Sequence, residues 1–212
     1  MQLYNYFRSS AAYRVRIALN LKGLRPDNVF VHLQKGEQRA PDYLKLNPLG
    51  LVPTLVDGEE VITQSLAIIE YLDEVHPDPA LLPGTAADRA RIRSIALMIA
   101  CDIHPIDNLR VLRYLTDVLK VSEEQKNAWY AHWVIEGLKA IESRLAGDAR
   151  TGRFCHGNAP TLADVCLVPQ LANARRFNID LAPFPTLVRI EAVCNELPAF
   201  ADAAPGRQPD AA

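Results

Sequence analysis

The feature that most constrains the fold is a change of pattern at a proline-rich segment, residues 76–83 (HPDPALLP). Three prolines without hydrophobic periodicity predict a linker there. Before this segment, short runs of β-branched and aromatic residues alternate with stretches at helical spacing. After it, only helical spacing occurs. The sequence therefore predicts an α/β domain over residues 1–76, a linker over residues 77–87 and an all-α domain over residues 88–212.

The N-terminal domain is predicted to have the order β-α-β followed by β-β-α. A first strand is expected around residues 3–7 and another over residues 28–33, with the first helix between them. Residues 33–43 (LQKGEQRAPDY) are too irregular to predict an element. Thr54, Val56, Val61 and Ile62 indicate a hairpin that turns at Asp57-Gly58, and Val52-Pro53 before it suits a fixed turn with a cis bond. A helix is expected from Ser65 until Pro77 ends it. This order favours a small mixed sheet with helices on its faces.

The C-terminal domain is predicted to consist of long helices. A stripe of isoleucines keeps helical spacing from about Asp88, and Pro105 within it predicts a kink. A second long helix is expected over residues 122–145, and Thr161-Leu-Ala-Asp164 has the form of a capping box. A further helix is expected around residues 184–197. The last eight residues, PGRQPDAA, are expected to form a loose or surface-laid tail.

Charge and cysteine content disfavour several classes of function. The net charge of −2 and pI near 6.2 give no electrostatic reason to expect nucleic acid or an anionic membrane as a partner. No apolar run has the length of a membrane span, and the N-terminus lacks a signal-peptide pattern. The four cysteines are scattered without a CxxC pair, which indicates neither a disulfide framework nor a zinc site. We therefore expect a cytoplasmic protein without a metal.

The chemistry is concentrated where the first strand gives way to the first helix, within residues 6–21 (YFRSSAAYRVRIALNL). Arg8, Ser9, Ser10 and Ala11 lie at this junction. A helix start carries unpaired N–H groups and partial positive charge, so it favours anions. A serine hydroxyl at that point can cap the helix or donate to a bound anion such as a thiolate. These residues alone leave both interpretations open.

The chain as a whole resembles the zeta class of glutathione transferases, which includes the maleylacetoacetate and maleylpyruvate isomerases. The matching motifs run from one end of the chain to the other, so the resemblance extends over nearly all of it. They are FRSSAAYRVRIAL (residues 7–19), Asn47-Pro48, Val52-Pro53, QSLAIIEYL (residues 64–72), Leu162-Ala163-Asp164, Val168-Pro169-Gln170 and Arg207-Gln208-Pro209-Asp210. The resemblance implies the glutathione transferase fold, in which a thioredoxin-like α/β N-terminal domain precedes an all-α C-terminal domain. It also implies glutathione as the cofactor and a homodimer as the assembly.

The resemblance further implies the roles of individual residues. Ser9 matches the serine that stabilises the thiolate of glutathione, Gln64 and Ser65 match the pair that holds its γ-glutamyl end, and the backbone of Val52 matches the partner of its cysteinyl part. Further implied glutathione contacts are Ser10, Ala11, Arg14, Gln38, His104, Asn108 and Arg110. Arg8 and Arg176 resemble the arginines that grip the carboxylates of the substrate.

Simpler interpretations of these residues also stand. Gln64 and Ser65 could cap the following helix, and His104 could be a core histidine in the kink. Arg110 could be a surface charge, and the same holds for one of the adjacent Arg175 and Arg176. Ala11 replaces the cysteine that is common in the family motif, so that thiol takes no part in the chemistry of this chain.

The resemblance implies a glutathione-dependent isomerase for maleylacetoacetate, acting by reversible addition of the thiolate. Maleylpyruvate is a rival substrate that the motifs do not separate from it. A general conjugating transferase or peroxidase is disfavoured, because Arg8 and Arg176 would be unpaired cations in an apolar pocket. A non-catalytic binding module would not need Ser9, Gln64 and Ser65 together.

Overall fold

The computed structural model describes residues 1–211, which form two compact units. The N-terminal unit contains residues 1–80 together with residues 195–211, and the helical unit contains Leu81–Cys194. No helix among the described residues is both long and apolar enough to cross a membrane.

The N-terminal unit is built on a four-stranded mixed sheet in the order β2-β1-β3-β4. The strands are β1 (Gln2–Asn5), β2 (Asp27–Phe30), β3 (Thr54–Asp57) and β4 (Glu60–Thr63). β1 pairs in parallel with β2, while β3 is antiparallel to both β1 and β4. The predicted mixed sheet and hairpin are thus confirmed. β1 ends earlier than predicted, because the carbonyl of Tyr6 turns to accept a hydrogen bond from the N–H of Ser9 at 3.0 Å.

Two helices cover the sheet of this unit and pack against one another. They are α1 (Ser10–Leu21) and α3 (Ser65–Val75). Their apolar faces are fully buried, with Val15 and Ala18 of α1 and Ile68 and Leu72 of α3 each 0% exposed. The start of α3 at Ser65 and its end before Pro77 agree with the prediction.

The prediction of no regular structure in residues 33–43 was wrong. Short 3₁₀ turns occupy Leu33–Lys35 and Glu37–Arg39, and α2 covers Pro41–Leu46. Pro41 is the first residue of α2, where its fixed φ suits a helix and its missing N–H costs no bond. Tyr43 of α2 is buried, and its hydroxyl lies 3.0 Å from the hydroxyl of Thr54 in β3. Tertiary packing therefore stabilises a segment whose periodicity was too short to detect.

The described part of the last eight residues is laid on the surface, as one of the two alternatives predicts, and it forms two 3₁₀ turns, Pro205–Arg207 and Pro209–Ala211. Together with α9 (Pro198–Ala201), which precedes them, these turns make up the C-terminal tail. Phe200 is 0% exposed, and its carbonyl accepts a hydrogen bond from the Tyr13 hydroxyl at 3.3 Å. Carbonyl groups of this segment thus accept hydrogen bonds from side chains of α1, and residues 195–211 accordingly belong to the N-terminal unit.

The helical unit begins with the predicted isoleucine stripe. α4 (Ala86–Leu97) continues into a wider π-helical turn, Met98–Ile103, and a 3₁₀ turn, His104–Ile106. The kink predicted at Pro105 is therefore a complete interruption, after which α5 (Leu109–Arg113) starts afresh with Asn108 as its cap. Ile92, Ile95 and Ile99 are 0% exposed, as the stripe predicts.

The remaining helices are α6 (Glu123–Ala146), α7 (Leu162–Arg176) and α8 (Pro185–Asn195). α6 and α7 begin at the predicted caps, and α8 lies within the predicted range. Ser122 and Gln125 form a capping box at the start of α6. At α7, the buried Asp164 carboxylate accepts hydrogen bonds from the N–H of Thr161 at 2.8 Å and from the N–H of Cys155 at 2.7 Å. These bonds hold the start of a helix whose first ten residues are all buried.

Candidate functional site

The topology of the sheet brings the predicted residues of the N-terminal unit to one edge. β1 and β4 run in the same direction, because each is antiparallel to β3. α1 follows the end of β1 and α3 follows the end of β4, so both helices start at the same edge of the sheet. Val52 lies at that edge too, since it precedes the first residue of β3. Ser9, Ser65 and Val52 are thereby brought together by three separate elements.

Ser9 is the N-cap of α1. Its Oγ accepts a hydrogen bond from the N–H of Ala12 at 3.1 Å, and its backbone is extended with φ −68° and ψ 115°. A hydroxyl that accepts in this way still has its proton to donate. The capping role and the thiolate-binding role are therefore compatible, and Ser9 can perform both at once.

The start of α1 is electrostatically suited to an anion. Its first turn contains no acidic residue, so no side chain of the turn itself neutralises the partial positive charge of the helix end. Ser10 is buried at the first helical position, and Ala11 follows it half-buried. Positive potential at a helix start lowers the pKa of a nearby thiol and thus favours its thiolate.

The start of α3 differs from an ordinary capped helix. Gln64 stands at the N-cap position but makes no side-chain capping bond, and its φ of +70° is rare for a residue other than glycine. Such backbone strain is often found where a residue is held for function. The capping interpretation of Gln64 is thus wrong, and its exposed side chain is available for another partner.

Arg14 links the two helix starts. It is 1% exposed, and its guanidinium donates a hydrogen bond to the Oγ of Ser65 at 3.3 Å. Ser65 is itself buried at the first position of α3. The position of the α3 start relative to the α1 start is therefore fixed by a buried hydrogen bond between side chains.

Val52 offers a backbone that can pair with an extended peptide. Its bond to Pro53 is cis, as the sequence suggested. Among residues 1–211, no backbone hydrogen bond involves Val52, whereas the carbonyl of the preceding Leu51 accepts from the Asn47 side chain at 2.8 Å. An unpaired strand end of this kind can bind a peptide by adding its backbone to the sheet.

Gln38 lies beside this segment. It is 7% exposed, and its side-chain nitrogen donates to the carbonyl of Leu33 at 3.3 Å. Its side-chain oxygen is buried without a partner among the described residues. The loop of Gln38 is in close contact with Gly50, where an added Cβ would lie 2.8 Å from the Gln38 carbonyl. Gln38 thus has an unused acceptor and packs against Gly50, which lies two residues before Val52 in the chain.

Arg8 precedes Ser9 and is exposed. Its guanidinium carbon lies 5.0 Å from the centre of the Phe7 ring. It forms no ion pair with a carboxylate of the described residues, so its charge is free for an anionic ligand.

The other predicted residues lie in the helical unit. Asn108 accepts hydrogen bonds from the N–H groups of Arg110 at 3.1 Å and Val111 at 3.3 Å, so it is the cap of α5. The Arg110 side chain is exposed. His104 is half-buried at the first position of the 3₁₀ turn that contains Pro105. His104 lies within the interruption between α4 and α5, and Asn108 and Arg110 lie at the start of α5.

The structure distinguishes Arg175 from Arg176. Arg175 forms an ion pair with the buried Glu191 of α8, whereas Arg176 pairs with no carboxylate of residues 1–211. The Arg176 guanidinium carbon lies 5.0 Å from the centre of the Phe177 ring. Burial raises the pKa of Tyr130 well above its usual range, and the nearby Arg176 acts in the opposite direction. Arg176 thus contacts Tyr130 through a side-chain hydrogen bond, but its charge, unlike that of Arg175, is not neutralised by a carboxylate of the described residues.

Sequence reasoning missed Asp107. This residue is 6% exposed, and neither carboxylate oxygen has a hydrogen-bond partner among the described residues. Burial raises its pKa from 3.8 to about 7. An acidic residue directly after the isoleucine stripe was the available signal, since position 107 continues a segment that is otherwise apolar on its inner face. Within residues 1–211, no group of three or more His, Cys, Asp or Glu side chains could hold a metal ion.

Comparison with known proteins identifies related sequences over the whole chain. The descriptions "Glutathione S-transferase, N-terminal domain" and "Glutathione S-transferase, C-terminal domain" match residues 1–74 and residues 127–205. A probable maleylacetoacetate isomerase of Vibrio cholerae is 54% identical over 99% of this chain and 97% of its own length. A maleylpyruvate isomerase of a Ralstonia species is 49% identical over 100% of both chains.

Solved structures agree with this relationship. The crystal structure of a maleylacetoacetate isomerase from Methylobacterium extorquens, with bound malonate and glutathione, matches 100% of both chains at 44% identity and a TM-score of 0.97.

Proposed function

Because this chain belongs to the zeta class of glutathione transferases, we propose that it is a glutathione-dependent isomerase that converts maleylacetoacetate to fumarylacetoacetate. The observation that carries the proposal is the meeting of two anion-favouring helix starts and an unpaired strand end at one edge of the sheet. A tripeptide with a thiol in its middle and carboxylates at its ends has the chemistry that this edge suits. The related protein from Methylobacterium extorquens was crystallised with glutathione and with malonate, a dicarboxylate.

In this proposal the N-terminal unit binds glutathione through three contacts. The γ-glutamyl carboxylate lies at the start of α3 and contacts Gln64 and Ser65, where the helix end favours negative charge. The cysteinyl backbone pairs with Val52, and its thiol reaches Ser9. Supporting contacts come from Ser10, Ala11, Arg14 and Gln38, with His104, Asn108 and Arg110 as further candidates from the helical unit. The strained backbone of Gln64 and the unused acceptor of Gln38 support this assignment.

The thiolate supplies the nucleophile for the isomerisation. It adds to one carbon of the conjugated cis double bond, and the electron pair of that bond moves onto the neighbouring carbonyl as an enolate. The former double bond is now single and can rotate. When the enolate re-forms the carbonyl, the double bond returns in the trans form and the carbon–sulfur bond breaks, so the thiolate is regenerated. Ser9 contributes by donating a hydrogen bond from its hydroxyl to the sulfur, which stabilises the thiolate before addition.

Arg8 and Arg176 are proposed to bind the two carboxylates of the substrate. Both are exposed and neither is paired with a carboxylate of the described residues. Arginine can hold a carboxylate with two hydrogen bonds and remains charged at neutral pH. These two cations favour a dianion over the bulky apolar electrophiles of a general transferase. Maleylpyruvate is an analogous dianion, and the relative from Ralstonia supports it as the second candidate. The homodimer and the cytoplasmic location stay predictions from the resemblance.

The test is an absorbance assay with glutathione and each of the two maleyl acids. We expect turnover of both, faster with maleylacetoacetate, and none without glutathione. Ser9→Ala should lower turnover roughly 10- to 1000-fold, as expected for the loss of one stabilising donor. Ser122→Ala is the matched control, because it also removes a helix-capping serine but one at the start of α6. Both variants should lose about 1 kcal/mol of stability, while only the first loses activity. If neither acid is turned over, the proposed function is refuted. If turnover by Ser9→Ala equals that of the wild type, only the role of Ser9 is refuted.

A further inference from the structure

We propose that Asp210, two residues from the C-terminus, is a positioning residue for the thiolate site, because its carboxylate fixes the loop that presents Ser9. This inference rests on the proposed function and extends it to the far end of the chain.

The direct contact joins residues that are 203 positions apart in the sequence. The backbone N–H of Phe7 donates a hydrogen bond to Oδ2 of Asp210 at 2.9 Å. β1 ends at Asn5, so the N–H of Phe7 has no strand partner of its own. Phe7 lies only two residues before Ser9, and the bond therefore fixes the backbone immediately before the catalytic hydroxyl.

Arg16 holds the opposite side of the same loop. It is 5% exposed, and its guanidinium donates to the carbonyls of Phe7 at 3.1 Å and Tyr6 at 3.4 Å. It also donates to the carbonyl of Ala203 at 3.0 Å, which ties the tail to the same group. Burial lowers the pKa of Arg16 to about 10, and the negative charge of Asp210 counteracts this effect. The loop is thus held by a cation at its carbonyls and by an anion at its N–H.

Hydrogen bonds and packing hold the tail in place. The side-chain nitrogen of Gln208 donates to the carbonyls of Asp202 at 2.8 Å and Ala204 at 3.0 Å, and these bonds close the Pro205–Arg207 turn directly before the segment that carries Asp210. Phe200 anchors the tail in the core, and the carbonyl of Ala199 accepts from Asn20 of α1 at 3.0 Å. Asp210 is thereby presented to Phe7 from an ordered segment.

The consequence for catalysis follows from geometry. Ser9 stabilises the thiolate only when its Oγ lies within hydrogen-bond distance of the sulfur, and a shift of about 1 Å can cost up to roughly 100-fold in rate. Gln64, Ser65 and Val52 lie on other elements and hold the rest of the tripeptide, so its binding depends less on this loop than the ionisation of its thiol does. Loss of the Asp210 bond should therefore affect the ionisation of the thiol and kcat more than the KM for glutathione.

The experiment compares Asp210→Ala, Asp210→Asn and the control Asp202→Ala, which removes an exposed carboxylate from the same tail. Three quantities are measured on the full-length protein: amide hydrogen exchange of residues 7–9, the pKa of bound glutathione from its thiolate absorbance, and the steady-state constants. Asp210→Ala should exchange faster at residues 7–9, raise the thiol pKa and lower kcat roughly 10- to 100-fold, with the KM for glutathione nearly unchanged. Asp210→Asn keeps an acceptor for the Phe7 N–H and should stay close to the wild type, as should Asp202→Ala.

Each outcome has one meaning. Equal exchange, thiol pKa and kcat in Asp210→Ala and the wild type would overturn the inference and leave the proposed function intact. If the wild type does not bind glutathione, the proposed function is refuted. Hydrogen exchange of residues 7–9 would in that case still test whether Asp210 holds the loop. Should Asp210→Ala not fold, Asp210→Glu provides the same comparison, because it retains the charge but displaces the carboxylate by one methylene. A thiol pKa and kcat equal to those of the wild type in Asp210→Glu would then overturn the inference.

Discussion

The buried carboxyl of Asp107 should make the stability of the helical unit depend on pH. Burial raises the pKa of Asp107 from 3.8 to about 7, so the folded protein holds this proton more tightly than the unfolded chain. A group of this kind stabilises the fold fully below its unfolded pKa, and its contribution disappears as the pH rises through the folded pKa. The contribution of Asp107 to the free energy of unfolding should therefore fall as the pH rises from about 4 to about 7.

The magnitude follows from the size of the shift. The pKa of Asp107 differs by about three units between the folded and the unfolded chain, and each unit corresponds to about 1.4 kcal/mol. The free energy of unfolding should therefore fall by at most about 4 kcal/mol. Asp107→Asn replaces the carboxyl by an amide of the same shape that cannot ionise. The variant should lack this decline, so its stability relative to the wild type should increase by up to about 4 kcal/mol between pH about 4 and about 8.

The assay is urea unfolding followed by tryptophan fluorescence at several pH values. Both tryptophans of the chain, Trp129 and Trp133, lie on α6, and the indole N–H of Trp129 donates to the carbonyl of Ile106 at 3.0 Å, next to Asp107. The fluorescence therefore reports on the unit in which the change is made. Asp102→Asn, at an exposed position one turn earlier, is the control and should follow the wild-type curve. If the curves of Asp107→Asn and the wild type run parallel across the whole range, the reasoning about Asp107 is wrong.

Two further predictions concern the helical unit. Arg176→Ala should raise the KM for the dicarboxylate while the KM for glutathione stays nearly constant, and Arg175→Ala should not raise either; steady-state kinetics in both substrates would contradict this if the two constants rose together. Gly137→Ala should lower the free energy of unfolding, measured by urea titration, by about 1–3 kcal/mol, because a Cβ there would lie 2.3 Å from side-chain carbons of Ile103. Gly147→Ala, where the nearest atom would be 3.5 Å away, should cost clearly less, and equal losses would show that the close approach is not the cause.

Much of the fold was accessible from the sequence, because it depends on local signals. The isoleucine stripe, the Ser122–Gln125 capping box and the Thr54–Thr63 hairpin each specify an element through residues close together in the chain. α2 was missed because six residues contain less than two turns of periodicity, and its stability comes from the burial of Tyr43. Hydrophobic spacing detects a helix only when the helix is long enough to repeat.

The candidate site could be predicted from the sequence only in part. The motif around Ser9 identified the junction of strand and helix, and Gln64 and Ser65 were found through the resemblance. The sequence did not separate capping from ligand binding at Gln64, because that distinction depends on a φ of +70° and on a side chain that makes no cap. It did not separate Arg175 from Arg176 either, since the difference is the position of Glu191 sixteen residues later in the chain.

Local signals along the chain specify where it changes from mixed α/β to all-helical structure and where most of its helices start, because caps, prolines and periodicity act over a few residues. Which distant groups meet became visible with the folded structure. It joined Arg14 to Ser65, buried Asp107 away from any described partner and brought Asp210 to the N–H of Phe7. These contacts arise from the packing of whole elements, and the energy of burial that selects them does not depend on separation along the chain.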